Sequence, residues 1–193
     1  PKDAIGANMS SVKIIFLLLI FSVNANAVEL EQLAKPITQL KAIAEQPAIQ
    51  LSVQAHSHDP LDIQGMIKID QQWKVNPSLP NELLDPRVQQ LFIKYLSQPH
   101  PMFVELILMG KQGQTLAGAP HTTDYWQGDE AKFIETLKRE NVYVSSLDWD
   151  ESSRTISAQI SIPLWINGNI QGVLTGAVEA NLEVLSNTEV NPY

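Results

Sequence analysis

The tightest constraint on this chain lies in its last third. Ile156, Ala158, Ile160, Ile162 and Leu164 alternate with Ser157, Gln159, Ser161 and Pro163. Alternation of period two puts the first set on one face of an extended strand and the second set on the other. Asn167-Gly168 comes next, and Ile170 to Val178 form a second extended arm. Asn-Gly is the pair that a two-residue hairpin turn asks for, because both positions need positive φ. The pattern predicts a long antiparallel hairpin with one face feeding a core and the other small and polar. Such a hairpin is marginal alone, so the chain must supply more strands and an apolar cover.

The next strands lie upstream. From Phe103 to Met109, Val104, Leu106 and Leu108 point one way, and Phe103, Glu105, Ile107 and Met109 the other. Both faces are largely apolar, which predicts a central strand. Glu105 interrupts the pattern. It is either a carboxylate facing a ligand or the wet end of the strand, and the cost of burying an unpaired carboxylate favours the wet end. The turn Gly110-Lys-Gln-Gly113 leads to a second short strand, Thr115 to Ala119, and Val142-Tyr-Val144 reads as another.

Before residue 101 the spacing is helical. Leu30, Leu33, Ile37, Leu40, Ala44, Ala48, Leu51 and Ala55 recur in steps of three and four, one stripe of a long helix that Pro36 and Pro47 kink or split. His56 and His58 fall on different sides of a helix and make a poor metal pair there. Leu61 to Val75 predicts a second helix with Ile63, Met66, Ile67 and Trp73 near one face and Asp70 at its edge. Asn76 to Pro80 reads as a linker. Asp85-Pro86 opens a third helix that buries Val88, Leu91, Phe92, Tyr95 and Leu96, and Gln98-Pro-His-Pro101 stops it. Helices followed by an antiparallel sheet make an α+β class. No internal repeat is present.

Between the strands and the hairpin lies the chemically richest stretch, His121-Thr-Thr-Asp-Tyr-Trp-Gln-Gly-Asp-Glu130. It is followed by a helix, residues 129–139, that opens with acids and closes with bases, as the macrodipole favours. A polar, aromatic loop between a strand and a helix start is suited to gripping a small ligand. The plainer reading is a surface loop whose Asp and Thr cap that helix.

Residues 9–27 stand apart. Met9-Ser-Ser-Val-Lys13 is weakly basic, Ile14 to Val23 is a ten-residue apolar run, and Ala25-Asn-Ala27 gives a small-x-small cleavage pattern. Together these predict a secretory signal peptide and export to a periplasm; the competing reading is an uncleaved anchor. Residues 1–8 are upstream or added residues, and residues 28–193 form one domain. There is no cysteine for a disulfide or a lipid tether. No other segment approaches 18 apolar residues, which predicts a soluble exported domain. Without Lys2, Asp3 and Lys13 the exported part carries 11 basic and 20 acidic residues, a net charge of −9. That charge argues against nucleic acid and anionic membranes as partners.

Several stretches, taken together, resemble a known family. A long helix precedes the strand and turn at Gly110-Lys-Gln-Gly113. Then come Thr123-Asp-Tyr-Trp-Gln-Gly-Asp-Glu130, Asp148-x-Asp150-Glu-Ser-Ser153, a strand with Pro163, and a hairpin reaching Gly172-Val-Leu174. This looks like the PDC/Cache domains, the PAS-like extracytoplasmic sensor modules of histidine kinases, chemoreceptors and cyclase-type proteins. The resemblance covers roughly Leu30 to Leu185, and only the Asp-Tyr-Trp-Gln-Gly-Asp-Glu segment is specific. It implies a five-stranded antiparallel sheet with a long N-terminal helix on one face and a small-molecule pocket on the other. Carried over, Asp124, Tyr125, Trp126 and Asp129 would cap the pocket, and Trp149 and Asp150 would lie on a second loop. Gln159 or Ser161, with Thr175, would form the floor. Aromatic rings and carboxylates there suit an amine or amino-acid-like ligand. The partner implied is a membrane-bound histidine kinase, chemoreceptor or cyclase; no cofactor and no metal is implied. Family members commonly sit between two transmembrane helices, whereas one cleavable segment is visible here, so a free periplasmic binding protein is expected.

Two other readings compete. A secreted hydrolase would pair Asp124 with Glu130 or Asp129 as acid and base, with His121 nearby. No Gly-x-Ser-x-Gly, His-Glu-x-x-His or phosphate loop accompanies them. A structural adaptor would fill the same pocket with core side chains.

Overall fold

The computed structural model describes residues 33–57, 62–150 and 155–179. Residues 9–27, which the sequence reads as a signal peptide, His58, and residues 180–193 lie outside the described residues. The chain divides after Ile37 into two units. Of the first, residues 33–37 are helical. The second, from Thr38 onward, contains the whole sheet.

The predicted hairpin forms the middle of the sheet. β5 (Thr155–Ile166) and β6 (Asn169–Glu179) pair antiparallel, with Ser161 opposite Thr175 and Ile162 opposite Leu174. Asn167 and Gly168 turn the chain with φ of 51° and 75°, the doubly positive turn that the Asn-Gly pair predicts. β1 (Glu105–Gly110) lies against β6, and β2 (Thr115–Ala119) lies outside β1. On the opposite side, β5 pairs with two short strands, β3 (Tyr143–Val144) and β4 (Asp148–Asp150). The order is β2-β1-β6-β5-β3, with β4 also on β5. The expected five-position antiparallel sheet is thus present, its last position shared by two strands. Trp149 and Asp150, which the resemblance puts on a loop, are strand because they continue along β5 where β3 leaves off.

One sheet face carries Leu106, Leu108, Ile160, Ile162, Leu164 and Leu174, all buried. Helices α1 (residues 38–44) and α2 (Pro47–Ala55) cover it. The approach is close: a Cβ on Gly176 would stand 2.6 Å from the Phe103 ring and 3.2 Å from Leu40. Pro47 does divide the long helix, since Gln46 takes an extended conformation. The apolar stripe does not run through the break, however. Ile49, Ser52 and Val53 are buried, whereas Leu51 is 52% exposed and Ala55 is also exposed. A non-helical residue between two helices resets their phase, so one continuous 3.6-residue period cannot describe both.

α3 (Ile63–Trp73) starts at Asp62, whose Oδ1 accepts from Gly65 N at 2.8 Å. Met66 and Trp73 are buried, but Ile63 is exposed. The expected linker contains a short helix, α4 (Leu79–Leu83). It forms because Leu79 and Leu84 join Met66, Trp73 and Tyr125 in a small core apart from the sheet. α5 (Pro86–Leu96) is capped by Asp85; of the five residues its spacing predicts inside, Val88 and Phe92 are buried and Leu91, Tyr95 and Leu96 are half-buried. The hydrogen bond from Arg87 outweighs burial and lowers the Asp85 pKa. The start of α5 seals the edge of β2: Asp85 N donates to Leu116 O at 2.8 Å, and Gly118 N to Gln89 Oε1 at 2.6 Å.

α6 (Ala131–Arg139) lies on the second sheet face, where Phe133 and Leu137 pack on Ile107, Met109 and Val173. It begins at Ala131, two residues later than the acids predict, and its N-cap Glu130 makes no side-chain capping bond. Among the described residues no helix is long and apolar enough to cross a membrane.

Candidate functional site

The 121–130 loop is held from two sides. Its middle lies along β2: Thr115 N donates to Tyr125 O and Gln127 N to Gly113 O, each at 2.8 Å. Gln114 and Trp126 thereby form an antiparallel bridge. The contact requires two glycines back to back. Gly113 has φ of 86°, and a Cβ there would stand 2.4 Å from Gly128 Cα. Trp126 Nε1 closes the junction by donating to Gln112 O at 2.9 Å.

α3 holds the other side. Asp70 Oδ1 accepts from Tyr125 N at 2.7 Å and from Trp126 N at 3.1 Å. Trp73 Nε1 donates to Thr122 O at 2.9 Å, and Lys74 Nζ lies 2.7 Å from Asp124 Oδ1. Burial works to raise the Asp124 pKa, but the hydrogen bonds from Lys74 and Thr123 outweigh it and leave the pKa lowered. The Lys74 pKa is raised, first by the hydrogen bond to Asp124 and then by the charges of Asp124 and Asp70.

This grip decides where the aromatics go. The Tyr125 ring is buried among Met66, Trp73, Leu79 and Leu84, 5.4 Å from the Trp73 ring centroid. Trp126 packs at the margin of the same cluster.

A hollow of about 360 Å³ opens on the other side of the loop, over the second sheet face. That volume falls at the lower end of the range for small-molecule pockets. Its floor is Glu105 and Ile107 of β1 with Ser157 and Gln159 of β5. One wall is Tyr143, Ser145, Ser146 and Asp148; the other is Thr122, Thr123, Gln127 and Glu130, continued by Ala131 and Lys132. Ser145 is fixed to the floor twice, donating its N–H to Gln159 O and accepting Gln159 N at Oγ, both at 2.9 Å. The side chain of Lys132 is 6% exposed, with Nζ 2.9 Å from Glu130 Oε2. Among the described residues the lining holds three carboxylates and one ammonium.

Of the eight residues expected at the site, Gln159 borders the hollow. Thr175 is buried in the sheet beside it, its Oγ1 2.7 Å from Ser161 Oγ. Asp124, Tyr125 and Trp126 face α3 and α4, and Asp129 is exposed. Trp149 and Asp150 lie in β4, opposite Ile156 and Thr155. Glu105 corrects the sequence reading: it is 1% exposed and lies in the floor, not at a wet end. Lys132 was missed although it carried a signal, because a base in the first turn of a helix opposes the macrodipole. Gln127 and Thr122 carried none.

No family model and no curated protein matches this chain. Solved structures do match in fold. The ligand-binding domain of the Pseudomonas aeruginosa PAO1 amino acid chemoreceptor PctC, in complex with GABA, superposes with a TM-score of 0.52 at 16% identity. The match covers 90% of this chain and 65% of that domain, so this chain spans less than two-thirds of its length. The P. aeruginosa PctB domain in complex with L-Gln gives 0.41 at 16% identity over 76% of this chain and 56% of that one. The Pseudomonas fluorescens CtaA domain with L-valine also gives 0.41 at 16%, over 65% and 56%. The fold, α+β with a PAS-like antiparallel sheet, is shared with the PctC ligand-binding domain, as the resemblance to PDC/Cache domains implies.

Proposed function

We propose that this chain is an exported, periplasmic sensory domain that binds a small molecule and presents its occupancy to a membrane partner. The observation that carries the reading is the hollow itself, floored by the sheet and walled by a loop anchored at both sides, in a fold shared with a chemoreceptor ligand-binding domain. That domain was solved with GABA; here the carboxylates of the lining suit an amine or amino-acid-like ligand. A histidine kinase, chemoreceptor or cyclase is the kind of partner such a domain serves. Export rests on the leader at residues 9–27, with residues 28–193 as the working domain.

Thermal-shift screening of the purified protein against amines, amino acids and carboxylates tests this. A true ligand at a hundred times its Kd should stabilise the fold by about 2.7 kcal/mol. If no compound in the panel moves the melting temperature, the binding reading is lost. The hydrolase reading is poorly supported, because its acids do not converge. Asp124 is ion-paired to Lys74 on the far side of the loop, Asp129 is exposed, and Glu130 is taken by Lys132. Hydrolysis of a glycoside or ester panel that disappears in Asp129→Asn would reinstate it.

A further inference from the structure

Lys132 brings the one ammonium to the hollow among the described residues, and its side chain is 6% exposed. Two costs attach to that position. A cation in the first turn of a helix opposes the macrodipole, and an ammonium loses hydration when it is buried. An apolar side chain would fill the same wall without either cost. Helical side chains lean toward the N-terminus of their own helix. Lys132 accordingly reaches back past the start of α6, and its Nζ lies 2.9 Å from Glu130 Oε2. That carboxylate borders the hollow and its side chain is 40% exposed. The ammonium therefore stands at an open margin of the hollow and is not sealed in the wall.

The two partners are held unequally. Glu130 is the N-cap residue of α6, yet its side chain makes no capping bond, and Lys132 is its ion-pair partner. The carboxylate can turn out into water without opening the helix. Lys132 cannot follow, because its stem is buried in the wall, and an ammonium left there alone would be costly. Any anion that replaced Glu130 would be held by the same charge, and the group already seated there shows that a carboxylate fits. We infer that Lys132 anchors a carboxylate of the ligand and that Glu130 keeps its place in the empty hollow, so that the site takes monocarboxylates, amino acids among them, in preference to simple amines. This rests on the binding function proposed above and narrows its ligand class.

The test is calorimetric titration of the purified protein at neutral pH with two acid–amide pairs, norvaline with norvalinamide and pentanoate with pentanamide. Acid and amide are nearly equal in size, so a hollow that reads shape alone would not separate them. Whichever acid binds should bind more tightly than its amide by about tenfold or more, a step of about 1.4 kcal/mol. Glu130→Gln should strengthen acid binding by about threefold or more, because the ligand no longer displaces a carboxylate. The same variant should melt at a lower temperature than the wild type when empty, and pentanoate should restore it where pentanamide does not. Lys132→Met should abolish the preference for acid over amide; should that variant not fold, the wild type and Glu130→Gln still decide.

Equal affinity for acid and amide in the wild type overturns the inference. So does weaker acid binding in Glu130→Gln, because Glu130 would then be touching the ligand itself. If neither acid binds, the inference is likewise lost; a hit elsewhere in the wider panel leaves the sensory reading standing, and failure throughout removes both.

Discussion

A single oxygen, Asp70 Oδ1, takes two consecutive amides of the loop, Tyr125 N and Trp126 N. Helical spacing places Asp70 at the edge of an apolar face, and its partners lie 55 and 56 residues away. Removing the acceptor leaves both amides unpaired. Asp70→Ala should cost about 2–3 kcal/mol, read from urea denaturation, and Asp70→Asn less, because one carbonyl oxygen remains. Asp124 adds a pH dependence with a definite sign. Its folded pKa is lowered from 3.8, so its contribution is complete above the unfolded value and is lost as pH falls through the folded one. Lys74, raised from 10.5, contributes below the unfolded value and loses its share as pH rises through the folded one. Asp124→Asn should therefore flatten the fall in stability below about pH 4, measured as melting temperature against pH. An unchanged acid limb would show that the ion pair contributes nothing to folding.

Elements were legible where their signal is local. The hairpin formed as read, because alternation and an Asn-Gly turn act over neighbouring residues. The second half of the long helix did not keep its predicted face, because the extended Gln46 shifted the phase and turned Leu51 to solvent. Contact between helix and sheet depends on Gly176, which leaves room for Phe103 and Leu40. Gly176→Ala should destabilise the fold by about 1–3 kcal/mol through overpacking, read from the denaturant midpoint. If stability were unchanged, the Phe103 ring would have to turn aside freely. The α4 helix shows the opposite case, a proline-rich stretch made helical by two leucines that found a core.

At the scale of the whole molecule, the sheet has one face for structure and one for the hollow. The edge of β2 is sealed by α5 and by residues 125–127 of the loop, and that of β5 by β3 and β4. The hollow lies between these two sealed margins, so a ligand there would touch the loop wall, the sheet floor and the β3–β4 wall together. Saturating ligand should slow amide exchange in residues 121–130 and 143–148 and leave the Asn167-Gly168 turn unchanged. Protection confined to the hairpin turn would place binding elsewhere.

The order of helices and strands, the hairpin and the class of fold come from periodicities and turn residues that act within about a dozen positions, and the sequence carries those openly. The loop was visible too, as a concentration of rings and acids. Which of its side chains border the hollow was decided by Asp70, Trp73 and Lys74, which pull its aromatics and Asp124 toward α3. That leaves Thr122, Thr123, Gln127 and Glu130 facing the sheet. Successive loop residues have no fixed period, so their facing depends on partners about fifty residues away, and only the folded chain brings those partners together.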